Sequence, residues 1–498
     1  MTSKSTTTCS EPSMPLPVPW KPHKYQITAV RFLLEHACAA LLLSPGLGKS
    51  SISLAALTFL KRRGMLSKTL VIAPLRPCYS VWPREIQKWT DFYDLKVEVL
   101  HGPHKVEALA READIYVINP EGLDWLLGAV YTKRGNKTSV SVDVKRFASL
   151  GFDVLIVDEL SKFKAHDTNR FKALKLVLHT FGRRWGLTGS PASNGLMGLF
   201  GQAYILDMGN ALGQYITHYR NSYFIPDRSG FVWTLAPGAE ERIYEKLEPL
   251  VLRMSDDVID MPELVENDIY VDLPTAAMVM YRELERHLIT ALEEGLVTAA
   301  TAASASMKCR QIANGGIYLD RPIEANGLKK VRAEREWKNI HTAKIGTLRD
   351  LVDELQGQPL LVAYDFEHDV DRLRKEFPTA TFACDISARK FDVVERAWNA
   401  GTIDVLFGHP ASIGHGLNLQ GAGNHVAWHS LTWDYDLYDQ FIRRVFRQGN
   451  KHGRVFAHRI IARGTIDEVI INALRGKEVG QQALFKGILE MAKLRRSK

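Results

Sequence analysis

Along this chain, short wholly apolar runs alternate with longer stretches in which apolar residues return every third or fourth position. The run "ACAALLL" (37–43) reads as a buried strand, "SPGLG" (44–48) as a turn, and "KSSISLAALTFLKRR" (49–63) as a helix closing on cations that suit its C-terminal dipole. "FDVLIVDELSKFK" (152–164) gives a second strand that breaks off at polar residues. The alternation fills residues 38–205 and returns over 341–475, which predicts an α/β fold class: two doubly wound domains, each on a parallel sheet. Between them the composition changes. Residues 239–256 and 275–313, including the alanine-dense "LITALEEGLVTAATAASASMKCRQIANGG", are rich in helix formers and predict helical insertions or a brace. Residues 128–148 alternate like a β-hairpin around "RGNK". The expected division is a disordered tail (1–19), an N-terminal α/β domain (20–205), a helical region (206–340), a second α/β domain (341–475) and a basic C-terminal helix or tail (476–498).

Composition excludes several classes. With 46% hydrophobic and 24% charged residues the chain is ordinary globular material, long enough for two or three domains. Its five cysteines (Cys9, Cys38, Cys78, Cys309, Cys384) form no CxxC pair, so neither a disulfide framework nor a zinc cluster is expected. No apolar run approaches the ~20 residues that span a bilayer, and the first residues lack the apolar centre of a signal peptide. A cytoplasmic protein that makes no membrane contact is expected. The net charge of +8 is unevenly placed: Phe441 to Lys498 holds fourteen Lys/Arg against four Asp/Glu. Such an excess attracts polyanions, though a solvated basic surface explains it equally well.

The chemistry begins at the first turn. In "LLLSPGLGKSS" the strand–loop–helix context and the spacing GxGK[ST] fit a shortened phosphate loop, with Leu43 where the longer pattern has a first glycine. Backbone amides around Pro45, Gly46, Leu47, Gly48 and Ser51 would close on phosphate oxygens, Lys49 would reach the outer phosphates, and Ser50 would offer its hydroxyl to Mg²⁺. "VLIV" at 154–157 ends on two adjacent carboxylates. Asp158 is placed to hold Mg²⁺, and Glu159 to orient and deprotonate a water. The C-terminal "QFIRRVFRQGN" spaces Gln440, Arg444 and Arg447 four and three apart, hence on one face of a helix, and arginine supplies a planar fork suited to phosphate.

These segments stand in a fixed order with others: "KPHKYQITAVRFLL", "TLVIAPLRPCYSVWPREIQKW", "DIYVINPEGL", "WGLTGSPASN", "PLLVAYDFEHDVDRLRKEF" and "SIGHGLNLQGA". The series, over residues 20 to 470, resembles the successive motifs of helicase superfamily two, and more narrowly the Swi/Snf-type double-stranded DNA translocases. The resemblance implies two RecA-like domains with ATP and Mg²⁺ in the cleft between them. It implies that Gln26 recognises the adenine edge with Tyr25 packed on the base, that Gly416 and Gln440 join the nucleotide site, and that Arg444 and Arg447 act as arginine fingers. It assigns nucleic-acid contacts to Arg76, Trp82, Thr188, Gly189, Asn194 and Asn418. Ser161 stands where the family has a histidine, Ala165 where it commonly has asparagine, and Asn450 where glutamine is usual.

Three functions fit this pattern. One is an ATP-driven, monomeric translocase on double-stranded or branched DNA. A strand-separating DNA or RNA helicase would share the engine but needs a wedge, which the sequence does not identify. The third is a DNA-binding scaffold with a decayed motor, against which Lys49, Glu159, Arg444 and Arg447 all argue.

Overall fold

The computed structural model describes residues 16–135, 137–189, 195–226, 233–254, 261–293, 299–319, 336–388, 390–413 and 417–476. Two parallel sheets organise them. The first has seven strands in the spatial order Val251–Met254, Cys38–Leu43, Arg183–Thr188, Phe152–Asp158, Lys68–Ile72, Ile115–Ile118 and Val97–Val99. The second has six: Glu263–Val271, Arg454–Ala462, His425–Trp428, Leu360–Ala363, Val405–Gly408 and Thr381–Phe382.

Both sheets are covered on both faces, which is why their strands read as unbroken apolar runs. In the first lobe Leu155 and Val157 point into one core with Leu70 and Ile72, while Val154 and Ile156 point into the other with Leu41, Leu43 and Val71. The second lobe repeats this: Leu361, Val426 and Trp428 face one core, Leu360, Val362 and Phe407 the other. The helix Lys49–Arg62 lies in the second of the first-lobe cores through Ile52, Leu57 and Leu60 and ends on Lys61 and Arg62.

The connecting region departs from its helical expectation. The helix Ala239–Leu247 forms, but Val251–Met254 then joins the first sheet parallel to Cys38–Leu43, pairing Ala40 with Val251 and Leu43 with Met254. Glu263–Val271 runs beside Arg454–Ala462 for nine pairs and closes an edge of the second sheet. Helix-forming residues yield here because an open sheet edge offers backbone partners that local propensity does not register. The helices Thr275–Glu293 and Ala299–Asn314 do form, and Tyr281, Cys309 and Ile312 sink into a second-lobe core. The hairpin is present as Val130–Arg134 against Lys137–Ser141. Of the expected disordered tail, residues 1–15 lie outside the described residues, whereas Val18 is tied to the first lobe, its N–H donating to Lys88 O at 3.1 Å and its carbonyl accepting from Thr90 N at 3.0 Å. The basic tail from residue 477 also lies outside the described residues.

Candidate active site

Because neighbouring strands of the first sheet run the same way, Leu43, Asp158 and Thr188 end on one edge, and the loop 44–48, Glu159 and Gly189 follow them there. The loop 44–48 turns on Gly46 and Gly48, with φ of 100° and 75°, values that only glycine takes without strain. Gly48 caps the helix beginning at Lys49, so the first-turn N–H groups have no helical partner. Lys49 Nζ folds back on this loop, donating to Leu43 O at 2.7 Å and Ser44 O at 3.4 Å. Burial draws its pKa down to about 8, against the pull of Glu159 and Asp158.

Asp158 stands at its strand's tip, where Trp82 Nε1 donates to Oδ2 at 3.2 Å. Burial, and after it the charge of Glu159, pushes the Asp158 carboxyl up to about 7, while Lys49 and the indole N–H act in the opposite sense. Glu159 takes a left-handed conformation, φ 61° and ψ 60°. That costs a residue with a β-carbon roughly 1–2 kcal/mol, strain of the kind that gathers at working sites.

The second lobe supplies the opposite wall. Its helix Tyr435–Ile442 stops before the arginines, and the chain continues in tight turns, with Arg444 N donating to Phe441 O at 3.1 Å and Phe446 N to Ile442 O at 2.9 Å. The expected single helix face for Gln440, Arg444 and Arg447 is therefore corrected: only Gln440 is helical. The turn closes because the Asn450 side-chain amide captures the carbonyls of Val445 and Gly423, each at 3.0 Å. Arg444 donates to Gln440 O at 2.9 Å and Leu417 O at 3.1 Å; Arg447 donates to Leu417 O at 3.3 Å and to Asn418 Oδ1. Burial first, then repulsion from Arg447, lowers the Arg444 pKa to about 9, and Glu159 of the first lobe opposes that shift. Burial lowers Arg447 too.

The two walls meet. A β-carbon added to Gly46 would stand 3.0 Å from Arg447 Nε and 3.3 Å from Nη2. One cavity is lined by the loop and helix start (Pro45, Gly46, Gly48, Lys49, Ser50, Ser51), by Asp158 and Glu159, and by Asn418, Arg444 and Arg447. Leu47 is buried and serves through its carbonyl, which accepts from Tyr25 OH at 3.2 Å and Gln26 Nε2 at 3.3 Å. Gln26 also takes the His23 N–H on Oε1 at 2.9 Å, so Tyr25 and Gln26 brace the loop from behind. Gln440 carries a buried Oε1 with no protein partner. Gly416 and Asn194 lie outside the described residues.

The described residues assigned to nucleic-acid contact lie at or beside the cleft. Trp82 is fully buried and its indole N–H is donated to Asp158, so it supports the carboxylate. Arg76 crosses between the lobes, donating to Ala383 O at 3.2 Å with its guanidinium 4.4 Å from the Phe391 ring centre. Thr188 is buried at its strand end, and Gly189 lies against the phosphate loop, a β-carbon there falling 3.1 Å from Pro45. Asn418 lines the cleft and holds Arg447. Glu85, which the sequence reading missed, lines the cleft as well. Its signal was its place three residues after Trp82, on the same helix face. Among the described residues no helix is long and apolar enough to cross a membrane.

Residues 25–317 match the SNF2-related domain. A putative protein, p41, of Acyrthosiphon pisum secondary endosymbiont phage 1 is 34% identical over 492 residues, covering 94% of this chain and 98% of the phage protein. The DNA repair and recombination protein RAD54B of Mus musculus is 21% identical over 92% of this chain, which spans 54% of the mouse protein's length. The SWI2/SNF2 ATPase core of Sulfolobus solfataricus, solved in complex with dsDNA, aligns over 97% of this chain and 98% of its own with 21% identity and a TM-score of 0.42. The chain belongs to the SNF2-related family, the Swi/Snf-like, nucleic-acid-dependent ATPase motors of helicase superfamily two.

Proposed function

We propose that the chain hydrolyses ATP with Mg²⁺ in this cleft and turns lobe closure into movement along double-stranded DNA. The observation that carries this reading is Arg447 of the second lobe lying against Gly46 of the first, in one cavity with Lys49, Asp158 and Glu159. Lys49, released from the Leu43 and Ser44 carbonyls, would neutralise the outer phosphates. The unpartnered amides after Gly48 would hold phosphate oxygens. Glu159 would orient the attacking water and accept its proton, while Arg444 and Arg447 stabilise the charge of the transferring group. Ser50 and Asp158 offer hard oxygen donors that fit Mg²⁺. That ion supplies neutralisation of phosphoryl charge, and its field would keep Asp158 ionised despite burial.

We propose a monomeric motor, since the set needs no residue from a second copy. The phage relative supports action in a bacterial or phage-infected cytoplasm. Contacts to duplex DNA would run chiefly to phosphates, so binding would be sequence-independent and weakened by salt.

Lys49→Ala should abolish ATP hydrolysis, and turnover at the parental rate would defeat the assignment of the loop. Duplex DNA should stimulate the ATPase more than single strands or RNA do, and the motor should displace the third strand of a triplex while leaving duplexes paired. Efficient duplex separation would instead make it an unwinding helicase.

A further inference from the structure

The arginines are held by a loop, and the loop is held by a helix that also touches the other lobe. Four contacts from the helix Phe391–Asn399 grip residues 418–421: Glu395 accepts the Asn418 N–H, Trp398 Nε1 donates to Leu419 O at 2.7 Å, Asn399 Nδ2 donates to Asn418 O at 2.7 Å, and Asn399 Oδ1 accepts from Gly421 N at 2.8 Å. The approach is so close that a β-carbon on Gly421 would fall 2.6 Å from Asn399 Oδ1. The start of the same loop receives the fingers, through Leu417 O and Asn418 Oδ1.

On its outer side the same helix meets the first lobe. Arg84 Nη1 stands 3.2 Å from Glu395 Oε2, and Arg84 Nη2 stands 3.6 Å from Asp392 Oδ2. Glu395 is buried, and its carboxylate also favours the charged form of Arg447. Arg84 belongs to the short helix Trp82–Lys88, whose Trp82 holds Asp158 and whose Glu85 lines the cleft. A continuous path thus runs from the first-lobe carboxylate through Trp82, Arg84, Glu395 and Asn418 to Arg447, and back across the cleft to Gly46.

We propose that Arg84 and Glu395 are positioning residues which set the Arg447 finger only when the lobes close, so that the carboxylate motif and the finger engage together. This rests on the nucleotide reading above. Neither side chain lines the cavity, so neither need contribute to holding the nucleotide. What they govern is the placement of a group that acts in the transition state.

The test is a double-mutant cycle on the full chain, Arg84→Gln, Glu395→Gln and both together, with Arg447→Ala as reference. It is read as kcat and KM of DNA-stimulated ATP hydrolysis and as the Kd of a fluorescent ATP analogue. Glu395→Gln should lower kcat by about a hundredfold, the scale of a ~1 Å misplacement of a working group, with KM and Kd nearly unmoved. Arg84→Gln should lower kcat in the same way to a smaller extent, and the double variant should be no slower than Glu395→Gln alone. Arg84 is a partly exposed residue of the other lobe, so its variant decides the matter should Glu395→Gln fold poorly. Parental kcat in Arg84→Gln, or losses that multiply in the double variant, would overturn the relay. Parental turnover in Arg447→Ala would instead overturn the nucleotide reading beneath it.

Discussion

Replacing Gly46 by alanine tests the contact on which the cleft depends. Its φ of 100° is one that alanine adopts only with strain, and the added methyl carbon would sit 3.0 Å from Arg447 Nε, 3.3 Å from Nη2 and 3.4 Å from Cζ. The backbone strain costs of order 1–3 kcal/mol, against a stability of roughly 5–15 kcal/mol for a typical domain, so the chain should stay folded with its melting point lowered by several degrees. The crowded atoms are the end of a flexible side chain, so Arg447 can move, but only by loosening its bonds to Leu417 O and Asn418 Oδ1. A displacement near ~1 Å should cost about a hundredfold in kcat, less than the roughly 10³–10⁵ that an arginine finger is worth in related phosphoryl transfers. Affinity for a fluorescent ATP analogue should fall far less than kcat. The decisive measurement is the pair of variants with and without Arg447. If Gly46→Ala acts by pushing the guanidinium aside, it should cost little more once Arg447 has become alanine. An equal loss in both backgrounds would show that strain in the loop itself is responsible and that the arginine does not face Gly46 in the working state.

Two further outcomes follow from buried charge. Asp158 is raised to about 7 by burial and Glu159, so its ionised form is lost as pH falls through neutrality; the acid limb of kcat/KM should lie near there and move to lower pH as Mg²⁺ is increased, and a limb indifferent to Mg²⁺ would separate Asp158 from the metal. In the second lobe Lys344 Nζ lies 2.6 Å from Asp467 Oδ2 with the two side chains 0% and 2% exposed, so Lys344→Met should destabilise the protein by about 3–5 kcal/mol in urea unfolding, and adding Asp467→Asn should recover part of the loss while leaving an acceptor for Ala462 N–H.

What the sequence made legible was whatever is encoded within one stretch. "ACAALLLSPGLGKSS" carries its strand, its turn and its helix start locally, because burial on both faces of the sheet demands an unbroken apolar run and positive φ demands glycine. The two carboxylates at 158 and 159 were legible for the same reason. What stayed hidden depends on partners far along the chain. Trp82 looks like any aromatic in an apolar helix until Asp158, 76 residues on, comes within 3.2 Å of it. The arginine turn looks helical until Asn450 reaches Gly423, 27 residues back. Val251–Met254 follows a run of helix formers and becomes a strand only because Cys38–Leu43 leaves an edge beside it. In each case local periodicity was sound and tertiary hydrogen bonding decided the outcome.

The same electrostatics that make the cleft a polyanion site also explain how it can reopen. Arg444 and Arg447 share the cavity with Lys49, and both arginines depress the lysine's proton affinity alongside burial, as Arg447 depresses that of Arg444. Three cations drawn together in a buried cavity are costly unless anions lie among them, and Glu159, Asp158 and Glu395 offset only part of that cost. A nucleotide triphosphate bound as proposed would supply the missing negative charge only where both lobes reach it, which is the differential contact a ligand needs to shift a conformational equilibrium. On the proposed reading, hydrolysis and loss of phosphate would remove charge from between Lys49 and the arginines and return the repulsion. The interlobe contact of Arg76, to a carbonyl and a ring, lies outside the cavity lining and pairs its cation independently of this cluster. On this reading closure would be paid for by the ligand and alignment by the protein.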